Sequence, residues 1–89
     1  MDSDLAALKN LGNTSVNWLR TVGIHTRDEL HRIGPVAAYN RIRERGIRVS
    51  RVLLYALQGA LMDIHWNELD EDLKRRLVEE ADRQTPSNA

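Results

Sequence analysis

Ser50-Arg51-Val52-Leu53-Leu54-Tyr55-Ala56-Leu57-Gln58-Gly59-Ala60-Leu61-Met62-Asp63-Ile64 places apolar residues on nearly every face of a helix. A helix with no polar side to show to water belongs in the middle of a bundle. Ser50 offers a hydroxyl to the first free amides, so the spacing predicts a helix from Arg51 to about Ile64. Gly59 sits in its interior, where it costs about 1 kcal/mol relative to Ala. A residue retained at that cost is expected to admit the close approach of another helix.

Shorter amphipathic helices surround this one. On the C-terminal side Asp70 is expected to cap a helix whose stripe is Leu73, Leu77 and Ala81, with a polar tail from Gln84 to Ala89 expected to be disordered. On the N-terminal side Gly34-Pro35 opens a helix, because proline suits a first helical turn. Val36, Tyr39 and Ile42 lie three apart on its inner face, and Gly46 ends it. Thr26 with Glu29 reads as a capping box for a helix carrying Leu30 and Ile33. Asn13 or Thr14 caps another with Val16, Trp18, Leu19 and Val22, stopping at Gly23. A first helix is expected over Leu5 to Asn10, with Leu5 and Leu8 inward and Gly12 as its stop. No strand-like alternation occurs. The expectation is an all-α domain over residues 1–83, a compact bundle of five or six short helices held by tertiary packing.

The composition excludes several classes. Eighty-nine residues suffice for one domain. The absence of cysteine removes disulfides and cysteine-based metal sites. The N-terminus Met1-Asp2-Ser3-Asp4 is acidic where a signal peptide carries positive charge. The longest apolar run, Val52 to Leu57, is only six residues, far from a membrane span. A soluble, cytoplasmic protein without a membrane partner is the expectation. Thirteen basic and thirteen acidic residues cancel overall, but unevenly. Met1 to Arg51 holds nine Lys/Arg against five Asp/Glu, and the remainder holds four against eight. Such asymmetry suits an acidic partner or head-to-tail pairing, and equally a merely solvated surface.

Residues for chemistry are sparse. His25, His31 and His65 lack the four-residue spacing of a helical metal pair, so each reads as structural or solvated. Asp70-Glu71-Asp72 lacks the alternating ligands and glycine of a calcium loop and fits a helix N-terminus. No phosphate-cradling loop, nucleophile elbow or dinucleotide fingerprint occurs. The reading is a non-enzyme with no cofactor, no metal and no small-molecule substrate. Trp18, Trp66, Tyr39 and Tyr55 read as core rather than as base-stacking platforms.

The unusual feature is the run Arg41, Arg43, Arg45, Arg48 and Arg51, with only Glu44 to neutralise it. Guanidinium forks suit phosphate and carboxylate alike. This stretch is a candidate contact surface for nucleic acid or an acidic protein; the bland alternative is a solvated helix end.

Leu8-Lys9-Asn10-Leu11-Gly12-Asn13-Thr14-Ser15, followed by Leu19, Gly23-Ile24-His25-Thr26 and Leu30, resembles a helix-hairpin-helix module. In such modules amides at a Gly-hydrophobic-Gly turn hold DNA phosphate without reading sequence. Asn10 replaces the first glycine here, and Thr14 stands where a basic residue is expected. The resemblance makes Asn10, Gly12, Asn13, Thr14 and Ser15 candidate contacts beside the arginines.

A wider pattern resembles the C-terminal domain of TfoX/Sxy proteins. It comprises Leu11-Gly12, Ser15, Trp18-Leu19, Val22-Gly23-Ile24-His25-Thr26 and Gly34-Pro35-Val36-Ala37-Ala38-Tyr39, then Leu53 to Leu61, His65-Trp66, Leu69 and Leu77. It runs from about Leu8 to Leu77. The resemblance implies a small helix-hairpin-helix or SAM-like domain without catalytic residues, in a family that regulates DNA uptake and transformation through transcription. Full-length members carry an N-terminal α/β domain, so the chain reads as a stand-alone copy or an excised domain. The expected function is a regulatory interaction module acting mainly through protein. Its partner would be transcription machinery, a regulator or an N-terminal domain. The alternative is sequence-independent binding to the DNA backbone.

Overall fold

The computed structural model describes residues 4–84. Its elements are η1 (Asp4–Ala7), α1 (Asn13–Thr21), α2 (Arg27–Ile33), α3 (Pro35–Glu44), α4 (Arg51–Met62), η2 (Trp66–Glu68) and α5 (Glu71–Gln84), where η marks a short 3-10 helix. No strand occurs among the described residues, so the fold is all-α.

The apolar stretch is the central helix. Ser50 Oγ accepts from Val52 N at 3.3 Å and starts α4. Leu53, Leu54, Ala56, Leu57, Gly59 and Ala60 are buried along it. Around α4 gather Val16 and Leu19 of α1, Leu30 of α2, Val36, Tyr39 and Ile42 of α3, and Leu77 and Ala81 of α5. Each large side chain fully removed from water contributes roughly 1.5–3 kcal/mol. The one buried polar residue among those described, Asn40, lies on α3. Its Nδ2 donates to the Ala81 carbonyl at 3.1 Å, and its Oδ1 accepts from Arg43 at 3.2 Å, so α3 and α5 are tied by a hydrogen bond as well as by packing.

The corners follow the sequence closely. Thr26 Oγ1 accepts from Glu29 N at 3.1 Å, the forward half of the expected capping box. The Glu29 carboxylate reaches one residue further out than the motif requires, accepting from His25 N at 2.6 Å. Asp4 Oδ1 accepts from Arg27 N at 2.7 Å, adding a distant carboxylate to the same positive helix end. Gly34 joins α2 to α3 with φ 93° and ψ 155°, a region essentially closed to residues with a Cβ.

Three expectations change. The helix over Leu5 to Asn10 is a single 3-10 turn, Asp4–Ala7, followed by turns. Six residues cannot recover the cost of helix nucleation, and Asn10 leaves helical space altogether at φ 73°. Gly12 therefore stops nothing; it is the N-cap of α1, and Asn13 and Thr14, the expected caps, lie inside the helix. The central helix closes at Met62, short of Ile64, because Asp63 turns left-handed at φ 61°. Ile64 N then donates back to the Gly59 carbonyl at 3.0 Å and Asp63 N to Ala60 at 3.2 Å, the paired bonds of a Schellman ending. Lastly, no long helix crosses at Gly59. A Cβ there would stand 2.7 Å from Asn10 Nδ2, 2.9 Å from the Ile64 carbonyl and 3.2 Å from Trp66 Cα. The glycine admits a side chain and a returning backbone. The expected polar tail overlaps α5 at Gln84, which is helical, and its remaining residues lie outside those described.

Candidate functional site

The hairpin turn divides into a structural half and an open half. Asn10 belongs to the structure. Its Nδ2 donates to the Ile64 carbonyl at 3.0 Å and to the Ala56 carbonyl at 3.4 Å, while its Oδ1 accepts from Trp66 N at 3.1 Å. Asparagine tolerates the left-handed backbone a hairpin glycine would adopt. Its amide also fastens the turn to the end of α4, which glycine could not do. That side chain is already held by three hydrogen bonds within the fold.

Gly12, Asn13 and Thr14 are exposed and Ser15 is half-buried. Gly12 caps α1 without any side-chain hydrogen bond, leaving the first-turn amides to solvent or to an acceptor from outside. This is the open half.

The five arginines do not form one cluster. Arg43 packs inward: its guanidinium lies 5.1 Å from the Tyr39 ring centre and donates to Asn40. Arg41 and Arg45 are exposed on α3 and at its C-terminal cap. Arg51 lines a separate cleft with Tyr55, Glu71, Lys74, Arg75 and Glu79, where acidic and basic side chains mix. Arg48 alone joins the hairpin. It lines a groove of about 260 Å³ together with Asn10, Ser15, Trp18, Val49 and Val52. The run reads as one patch in sequence but passes through a helix end, a loop and a helix start, so its side chains diverge.

The aromatics also divide. Tyr39 is buried as expected, whereas Trp18, Tyr55 and Trp66 are half-buried and pack at the core's edge. Trp18 forms a wall of the Arg48 groove. Tyr55 and Trp66 stack with centroids 6.2 Å apart, and Lys74 Nζ lies 5.5 Å from each ring. Lys74 is only 15% exposed, so this cation–π contact docks the start of α5 onto α4 and η2. Val52 is exposed, although its helix reads in the sequence as apolar on nearly every face. At 42% exposure it is, with Met62, one of two exposed large apolar side chains among the described residues.

His25, His31 and His65 are exposed; among the described residues no group of three metal-binding side chains forms. No helix among them is long and apolar enough to cross a membrane.

The fold has solved counterparts. A structure of an uncharacterized protein from Listeria monocytogenes, in a triclinic form, is 34% identical with a TM-score of 0.82, covering 96% of this chain and 97% of that one. Another of a protein of unknown function from the same organism, in a tetragonal form, is 37% identical with a TM-score of 0.81, covering 89% and 96%. No curated protein matches. The family model for the TfoX C-terminal domain matches residues 1–81. With the hairpin, the central helix and the spacing around them in agreement, the chain belongs to the TfoX C-terminal domain family.

Proposed function

We propose that this chain is a non-enzymatic regulatory module that works mainly by binding another protein. The observation that supports it is the Arg48 groove, where exposed Val52 and half-buried Trp18 stand beside an arginine. Apolar surface left in water next to a cation suits a peptide side chain better than a phosphate backbone. The family resemblance gives the setting, regulation of competence and transcription, and with it a cytoplasmic location and a partner in the transcription machinery or its regulators.

A second reading has its own support. The uncapped start of α1 at Gly12 lies beside the groove holding Arg48, and free amides at a helix start suit phosphate. On that reading the chain binds the DNA backbone without sequence preference.

Fluorescence anisotropy of labelled duplex DNA, at low and physiological salt, separates the two. The protein reading expects no binding at either salt, and photocrosslinks to a protein from a probe at Val52. Salt-steep DNA binding, lost in an Arg48→Glu variant, would replace it with the second reading.

A further inference from the structure

We propose that the groove between α1 and the start of α4 takes an acidic peptide segment bearing a bulky apolar residue, a partner class that rests on the protein-binding reading above. The apolar part is set by the walls. Trp18 lines one side and Val49, Val52 and Ala56 the other, around about 260 Å³. That volume lies at or below the range of roughly 300–1,000 Å³ typical of small-molecule pockets and matches one large side chain with its flanking backbone. Val52 makes the occupant's apolar character specific. It sits on a helix otherwise buried on most faces, yet keeps 42% of its surface in water.

The acidic part is set by charge. Arg48 is the only ionisable residue lining the groove, and no carboxylate faces it there. The ion pairs found among the described residues, Lys74–Glu71 and Arg75–Asp72, both lie within α5, so neither involves Arg48. The groove also opens at the first turn of α4, whose helix dipole adds positive potential to the guanidinium's. An arginine with no partner among the described residues, beside an open apolar wall, complements a carboxylate adjacent to a Leu, Phe or Trp. The phosphates of a duplex could meet Arg48 but would leave Trp18, Val49 and Val52 uncovered.

The test uses the full chain and a set of labelled Asp/Glu-rich peptides carrying Leu, Phe or Trp anchors, with matched peptides in which Ser replaces each anchor. Saturable binding of an anchored peptide is expected. Binding should weaken by about tenfold or more in Arg48→Glu and in Val52→Asp, each checked for folding by circular dichroism, and in the serine peptides. Arg76→Glu, at an exposed position on α5, controls for net charge and should leave binding intact. Equal binding of the serine peptides would overturn the proposal, as would no binding of any peptide. Displacement by duplex or single-stranded DNA would assign the groove to nucleic acid instead. Dimerisation abolished by Val52→Asp would assign it to a second copy. If the peptides fail while crosslinks from Val52 still capture protein, only the acidic class is rejected; if the crosslinks are also absent, the protein-binding reading falls with it.

Discussion

Gly59 is the floor on which the Asn10 side chain rests. Asn10 Nδ2 occupies space that a Cβ on Gly59 would enter, with only 2.7 Å between them. Helix propensity alone favours Ala over Gly by about 1 kcal/mol. The sign of Gly59→Ala therefore decides between propensity and the clamp. The Ile64 carbonyl at 2.9 Å is backbone and gives way poorly. We expect a net loss of about 1–3 kcal/mol, as three hydrogen bonds to Asn10 are strained together. Urea denaturation would measure it, and a stabilised variant would show that Asn10 moves aside freely.

The clamp predicts an order among substitutions at position 10. Asn10→Gly keeps the φ of 73° but removes all three hydrogen bonds, and should cost about 1–3 kcal/mol. Asn10→Asp keeps the acceptor for Trp66 N but points a carboxylate oxygen at the Ile64 and Ala56 carbonyls. Despite near-identical size, Asp should be the worse of the two at neutral pH. Thermal melts of both variants would check the order.

What could be read in advance was what is encoded locally. Ser50, Thr26 with Glu29, and Gly34-Pro35 act within a few residues of themselves, and their chemistry is fixed by the backbone groups next to them. The Asn10 clamp joins positions up to fifty-six residues apart, and nothing in the sequence near Asn10 names its acceptors. The all-round apolarity of α4 marked a buried helix but not its open edge. Which face stays wet depends on where α1 and the Arg48 loop end, and that left Val52 exposed. For the arginine run, adjacency in sequence hid divergence in space, since Arg43 packs on Tyr39, Arg48 lines the groove beside Trp18, and Arg51 lines a separate cleft with Tyr55.

Thr26→Ala isolates a single cap. The hydroxyl is the acceptor for Glu29 N, and its removal frees one first-turn amide at the surface. A loss of about 1 kcal/mol is expected. Asp4 should limit the damage by continuing to accept from Arg27 N, so Asp4→Ala/Thr26→Ala should cost more than either alone. Chemical denaturation of the set would show it.

Leu57 and Trp18 both read as core residues in the sequence, which would make truncation of either costly. The structure separates them. Leu57 is fully buried at the centre of α4, so its truncation should leave a cavity and cost about 2–5 kcal/mol, comparable to the stability of a small domain. Trp18 is half-buried on the groove wall and should cost clearly less. Equal melting of the two variants would contradict the placement of Trp18 at the edge.

Gly12→Ser sets the two functional readings against each other. Gly12 has extended geometry, φ −99° and ψ −174°, and a Cβ there would meet nothing within 4 Å, so serine fits. Its hydroxyl would accept from Thr14 N or Ser15 N, raising stability by a few tenths of a kcal/mol over glycine. The same bond occupies an amide that a phosphate would need. If the chain holds a DNA backbone through the start of α1, Gly12→Ser should weaken that binding although the fold is slightly firmer. If the working surface is the wall of Trp18, Val49 and Val52 with Arg48, partner binding should be unchanged. A variant that melts higher and binds DNA less would move the site from the groove to the hairpin amides.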